Sequence, residues 1–464
     1  MLRLSSPHSA SPVARALALP RAAALALPRV SALALACLLL PACAALSAKA
    51  APEARPLFNG RNLDGWTIVN GAPSTWIVRD DLLVCSGIPT GVLRTNRQYE
   101  NFVLELDYMH VKPGGNAGVF VWSDPLPAQG QPFTRSIEVQ VLDGLETDNY
   151  TSHGDVFAIH GASFVPDRPH PAGWMRSLPS ERRAKPAGEW NHYRITCVNG
   201  AIDLEVNGAR VSGGTESTPR KGYICLEAEG SEVLFRNVQL TELPGASTPL
   251  EPEQIAYLEG GYRSLYNGVD FTGWAHGAEH ADSWKAADWV LDYDGNSTDL
   301  WTQESFRDFE LVVDWRFNGP ATDTPRPVIL PDGSVATDAD GEQHAELVPD
   351  AGDSGIYLRG GIKSQVNIWC WPVGSGEVYG YRTDASQPAE VRAAVTPSRK
   401  ADKPLGQWNR FFITLVGDRL TVVLNGLTVI EHAQLPDIAE AGPIGLQHHG
   451  APIQFANLFV RRLN

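Results

Sequence analysis

Two short runs hold the residues best suited to chemistry. In Ile137-Glu138-Val139-Gln140-Val141-Leu142 apolar and polar side chains alternate. A strand there turns Ile137, Val139 and Val141 to a core and Glu138, Gln140 and Leu142 to the opposite face. The run before it sends Ala117, Val119 and Val121 inward, leaving Asn116, Phe120 and Trp122 on the face of Glu138. Glu227 and Glu229 also share a side. A second set obeys the same rule. Asp353, Tyr357 and Arg359 point away from Ser354, Ile356 and Leu358, joined by Gln365, Asn367 and Trp369 and later by Gln447 and His449. Faces that combine acids, amides and aromatic rings suit a saccharide, because rings stack on C–H faces while amides and acids bond hydroxyls. A solvated sheet face is polar too, but seldom this rich in Trp and Tyr. Carboxylates so placed can move a proton, with Lys185, Lys403 or Arg359 available to meet developing negative charge. Glu138, Asp143 and Glu229 are also hard oxygen ligands for a possible divalent metal.

The elements that position these residues repeat. Leu57-Phe58-Asn59-Gly60 returns as Leu265-Tyr266-Asn267-Gly268, and Leu63-Asp64-Gly65-Trp66 as Phe271-Thr272-Gly273-Trp274. The runs 101–107, 185–191, 206–208 and 233–238 return in the same order at 308–314, 403–409, 424–426 and 453–458. An ordered set of this kind means two copies of one unit. The expected layout is a leader and short linker over 1–50, a first unit over 51–245, a Pro/Gly-rich linker over 246–262 and a second unit over 263–464. The extra stretch 318–349 of the second copy reads as a long surface loop. Inside each copy the hydrophobic period is two, as in Phe102, Leu104, Leu106 and Tyr108. Asn207-Gly208 and Asn425-Gly426 between apolar runs mark tight hairpins. The expected class is all-β: two antiparallel sandwiches in tandem.

Composition narrows the function. The chain has 464 residues, 38 basic and 53 acidic side chains and a net charge of −15. Nucleic-acid binding needs clustered Lys and Arg, so that class is excluded. Residues 1–50 contain no Asp or Glu and run from Arg-bearing sequence through an apolar stretch to small residues, the order of an export signal. Leu40-Pro41-Ala42-Cys43 suits lipoprotein cleavage with the lipid on Cys43, Ala48-Lys49-Ala50 suits an ordinary cut, and the apolar run approaches spanning length. The expectation is an exported protein, periplasmic, on the outer membrane or extracellular, that meets a membrane only through a lipid anchor. Cys85, Cys197, Cys225 and Cys370 have no CxxC spacing, which argues against a Cys zinc site. Export permits a bridge within the first half, and buried free thiols fit as well.

With the repeats in place, the chain resembles the 3-keto-disaccharide hydrolase family, twice over. The matching residues are LFNG at 57–60, GGNAGVF at 114–120, IEVQVLD at 137–143, KPAGEWN at 185–191 and VLFRNV at 233–238. In the second copy they are SLYNG at 264–268, DSGIYLRG at 353–360, QVNIW at 365–369, KPLGQWN at 403–409 and GPIGLQHHG at 442–450. The resemblance implies concanavalin-like jelly rolls with a concave, open sheet, and a sugar substrate oxidised at its 3-hydroxyl. A ketone at C3 acidifies the C2 proton. Glu138 is then the candidate base, with Glu229 and Lys185 as catalytic partners, the C1 substituent is expelled and water adds afterwards. Asn116, Trp122 and Gln140, with Asp353, Tyr357, Arg359, Gln365, Asn367, Trp369, Lys403 and His449 in the second copy, are the candidate sugar contacts. A non-catalytic, lectin-like role for the same faces is the alternative. Glu138 and Asp143 are also spaced like the paired acids of concanavalin-like glucanases. Bringing both to one face requires a β-bulge, and Gln140 stands where that motif has its middle acid. The copies are unequal: Glu138 becomes Gln365, Gln140 becomes Asn367, Asp143 becomes Cys370 and Glu229 becomes His449. The first copy is the expected enzyme.

Overall fold

A computed structural model describes residues 52–144, 151–257 and 260–463. Cys43 and the leader lie outside the described residues. Among the described residues no helix is long and apolar enough to cross a membrane.

The chain forms two antiparallel β-sandwiches, as the period-two pattern requires. In the first, a nine-stranded back sheet is centred on Phe102–His110, between Asn191–Val198 and Val233–Glu242. The seven-stranded front sheet runs Arg176–Ser177, Val156–Ile159, Ser136–Leu142, Asn116–Ser123, Tyr223–Ala228, Gly91–Thr95, Trp66–Val69. Leu104, Leu106 and Tyr193 from the back meet Val119, Val139 and Leu226 from the front in one core. In the second sandwich an eight-stranded back sheet centred on Phe309–Phe317 faces a four-stranded front sheet: Leu300–Phe306, Gly442–Leu446, Asp353–Leu358, Gly361–Trp369. The stretch expected as a loop at 318–349 is mostly a hairpin instead, Thr322–Pro327 pairing with Ala345–Asp350. Cys85, Cys197, Cys225 and Cys370 are free and buried, so the bridge that export would permit is not formed among the described residues.

The two sandwiches share a face. Val69, Val92, Phe120 and Cys225, on the outer side of the first front sheet, pack with Val312 and Phe459 from the outer side of the second back sheet. Phe120, expected to face an open groove, is therefore covered. The loop between Ser123 and Thr134 reaches across. Gly130 N–H donates to Asp314 Oδ2 at 2.7 Å, Gln129 Nε2 donates to Trp408 O, and Arg410 Nη1 donates to Pro127 O. Gly130 has φ +67°, and a Cβ there would stand 2.4 Å from the Trp408 ring, so only glycine allows this approach.

Asp314 is wholly buried at this junction and accepts from Arg410, Asn457 and Gly130 together. Its repeat counterpart, Asp107, holds His192, Arg236 and Asn237 on the solvent side of the first back sheet. Removing one member of a buried ion pair strands the other charge. Asp314→Ala is expected to cost about 3–5 kcal/mol, and Asp107→Ala a fraction of that; chemical denaturation of the full chain measures the contrast.

Candidate active site

The open part of the first front sheet is a cleft of about 500 Å³ lined by Asn116, Phe133, Glu138, Gln140, Leu142, Phe157, Glu227 and Glu229. Four neighbouring strands supply most of it, Val156–Ile159, Ser136–Leu142, Asn116–Ser123 and Tyr223–Ala228. Gly118 on the middle strand pairs with Gln140 on one side, and Glu227 comes from the strand on the other. A Cβ at Gly118 would stand 2.7 Å from Glu227 Oε2 and 2.9 Å from Glu138 Oε1. The bare backbone thus makes room for two carboxylates facing each other across it. Above them a polar chain runs sideways: Gln140 Nε2 donates to Asn116 Oδ1 at 2.8 Å, and Asn116 Nδ2 donates to Glu229. Phe133, held by the interdomain loop, packs edge-on against Phe120 at 5.7 Å and forms one wall.

Electrostatics follow from this crowding. Burial first, then the Glu229 charge, push the Glu138 carboxyl well above the usual carboxylate range, and Arg176 pulls it back. Burial and the charges of Glu138 and Glu229 raise Glu227, with no cation among the opposing causes. Glu229 is raised by burial and lowered by the Asn116 bond. Like charges this close disfavour ionising all three carboxyls together. Glu138 is the member that the Arg176 charge pulls down, whereas Glu227 Oε2 is buried without a hydrogen-bond partner. Arg176 itself is buried, paired with Asp155 at 2.8 Å and set over the Phe157 ring.

Several expected site residues lie elsewhere. Trp122 has φ +55° beside a register shift with Tyr223–Ala228, which breaks the alternation and turns the indole into the core, where Nε1 donates to Glu100 O. Arg359, also left-handed at φ +50°, is buried as a strap bonding Arg307 O, Gly417 O, Ala439 O and Asp308. Lys185 is an exposed loop residue outside the cleft. Lys403 lines a separate hollow with Trp315 and Phe317. Tyr357 stacks on Trp301 at 5.0 Å and does not line the second groove. Asp143 stays off the Glu138 face and accepts from Gly114 N and Ala187 N at 3.0 Å, so neither the glucanase pair nor the ligand set Glu138, Asp143, Glu229 assembles. Among the described residues no three His, Cys, Asp or Glu side chains are grouped to hold a metal ion.

The second front sheet brings together Asp353, Gln365, Asn367, Trp369 and His449, as expected, with Arg326, Trp371, Tyr379 and Gln447. Sequence reasoning passed over Glu227 and Arg176 as site residues. Glu227 was legible by alternation, but its place opposite Glu138 depends on strand order. Arg176 lies in an aperiodic stretch that carries no signal.

Residues 53–241 and 261–461 each match the profile of the 3-keto-alpha-glucoside-1,2-lyase-like domain. The chain belongs to that family. No curated protein matches it. Among solved structures, a Parabacteroides distasonis protein provisionally described as a glycosyl hydrolase is 22% identical, covering 41% of this chain and 94% of its own, with TM-score 0.33. The carbohydrate-binding module CBM66 from Bacillus subtilis is 14% identical over 38% of this chain and 96% of its own, TM-score 0.29. A Bacillus subtilis protein of galectin-like fold is 10% identical over 42% and 96%, TM-score 0.31.

Because its carboxyl is raised in the fold, Glu227 keeps a proton that the unfolded chain releases. Its contribution to stability is present below the ordinary glutamate range and is lost as pH rises through the folded value. Glu227→Gln is expected to raise Tm by roughly 2–4 °C at pH 8 and to leave it unchanged near pH 4, as read by thermal unfolding across that range.

Proposed function

We propose that the first sandwich of this lyase-like chain splits 3-keto-glucosides by elimination across C1 and C2. The observation that carries this reading is the pair Glu138 and Glu227 facing each other across Gly118 at the floor of an open cleft. The C3 ketone makes the C2 hydrogen acidic. Glu138, as carboxylate, takes that proton, and the C–H electron pair becomes an enolate. Glu227, as the neutral acid, donates to the oxygen on which charge develops. Collapse of the enolate forms the C1–C2 double bond, breaks the bond from C1 to the glycosidic oxygen and leaves a 1,2-unsaturated 3-keto sugar. The departing oxygen takes up the proton that Glu138 removed from C2, which restores the carboxylate, and water adding across the double bond then makes the net outcome hydrolysis. Asn116, Gln140 and Glu229 offer donors and acceptors to the ring hydroxyls, and Phe133 and Phe157 offer apolar walls. The sequence reading sets this reaction outside the cytoplasm, on a lipid at Cys43 or free after a cut near Ala50.

Turnover of 3-keto-trehalose or a simple 3-keto-glucoside tests the reading. Glu138→Gln is expected to lower kcat/KM by about 10²–10⁴. Glu227→Gln, which keeps a donor, should lose far less than Glu227→Ala. Full activity in Glu138→Gln would overturn the assignment of the base. Saturable sugar binding without turnover by the wild-type chain would leave a carbohydrate-binding protein instead.

A further inference from the structure

The second groove occupies the same place on its own sandwich, but its chemistry has been changed position by position. The strand registers set the equivalence. Gly118 pairs with Gln140 and Phe120 with Glu138, while Gly355 pairs with Asn367 and Tyr357 with Gln365. Gln365 therefore stands for Glu138 and Asn367 for Gln140, and Gln447 follows for Glu227. A Cβ at Gly355 would stand 2.3 Å from Gln365 Nε2, so the bare-backbone device is kept. What lies across it differs. Where the first cleft opposes two carboxylates, here Gln365 Nε2 donates to Gln447 Oε1. An amide has the shape of a carboxyl without its basicity, so this pair cannot take a proton from carbon.

The groove gains features the first cleft lacks. Leu142 is replaced by Trp369, which stacks on Trp371 at 4.1 Å with the rings 4° from parallel. Tyr379 stands edge-on to Trp369 and completes an aromatic wall. The hairpin Thr322–Pro327 with Ala345–Asp350 brings Arg326 to the rim, anchored on buried Asp350. Most telling, Asn367 is 3% exposed, lines the groove, and its Oδ1 has no hydrogen-bond partner. A buried acceptor left open is costly unless a ligand or water donates to it.

We infer that the second groove is a saccharide-holding subsite that binds a neutral sugar chain and carries out no elimination. The inference rests on reading the two front faces as sugar surfaces, but it does not need the first cleft to be catalytic. Planar amides bond vicinal hydroxyls, the open Asn367 oxygen accepts one of them, and the wall of Trp369, Trp371 and Tyr379 covers the apolar faces of the sugar rings. Asp353 and His449 flank the amides, and Arg326, held by Asp350, stands near Asp353. A neutral sugar suits this lining, since an uncharged amide pair and stacked indoles dominate it.

The test uses the full chain carrying Glu138→Gln, titrated calorimetrically with unoxidised neutral gluco-oligosaccharides, alone and combined with Trp371→Ala, Tyr379→Ala or Asn367→Ala. The expected result is saturable binding that each added substitution weakens by tenfold or more, with the fold of every variant checked by circular dichroism. Equal binding in all three combined variants, or no binding by the Glu138→Gln chain, would overturn the inference. So would residual breakdown of 3-keto-trehalose by Glu138→Gln that Asp353→Asn then abolishes, since the second groove would then be an active site. Binding lost on Trp371→Ala in a chain whose wild type never turns over a 3-keto-glucoside would uphold this subsite while the proposed elimination failed.

Discussion

The buried carboxylate of Asp314 is the constraint on which the arrangement of the two sandwiches depends. It accepts from Arg410, from Asn457 and from the Gly130 amide of the other sandwich, with almost no exposure to water. A charge so placed tolerates little displacement, because every lost donor leaves it uncompensated. The loop from Asp124 to Phe133 is thereby tied to the second sandwich, and with it the Phe133 wall of the first cleft. The same docking covers Phe120 and Cys225 and leaves open the part of the front sheet around Glu138, Gln140 and Glu227. The second sandwich thus shapes the first site without adding a residue to its lining.

Within each groove a glycine is the local equivalent of that constraint. Gly118 and Gly355 leave a gap between neighbouring strands into which the flanking side chains lean. Filled by two glutamates, the gap raises both pKa values, Glu138 through burial and the Glu229 charge, Glu227 through burial and the charges of Glu138 and Glu229. Filled by two glutamines, it becomes a neutral hydrogen-bonded pair. One backbone arrangement therefore holds either a pair of ionisable acids or a pair of neutral amides. The choice lies in two side chains that differ by an oxygen and a nitrogen.

Much of this was legible in the residues. The ordered repeats implied two like units, period two implied sandwiches, and alternation placed Glu138, Gln140, Asn116, Gln365, Asn367 and Trp369 on groove faces. Alternation failed at Trp122 and Arg359 because each adopts a left-handed backbone at or beyond a strand end, and a single such residue reverses the side-chain direction. Lys185 and Lys403 failed for a different reason: their motif is a turn whose backbone amide bonds Asn191 or Asn409, and nothing in it directs the side chain. The interdomain face had a signal that becomes readable only in retrospect. Val312 and Phe459 stand where the first copy has Glu105 and Gln239, an apolar pair on a face that is otherwise charged.

By itself, then, the sequence determined the class of fold, its duplication and which side chains lie on the polar face of each strand, because periodicity is a local property of the chain. Tertiary structure alone decided which strands are neighbours. That order sets Glu227 against Glu138 across Gly118, brings Arg176 from a stretch without periodicity, and covers Phe120 with a second sandwich. Each of these depends on contacts between residues far apart in the chain, and no local pattern encodes such a contact.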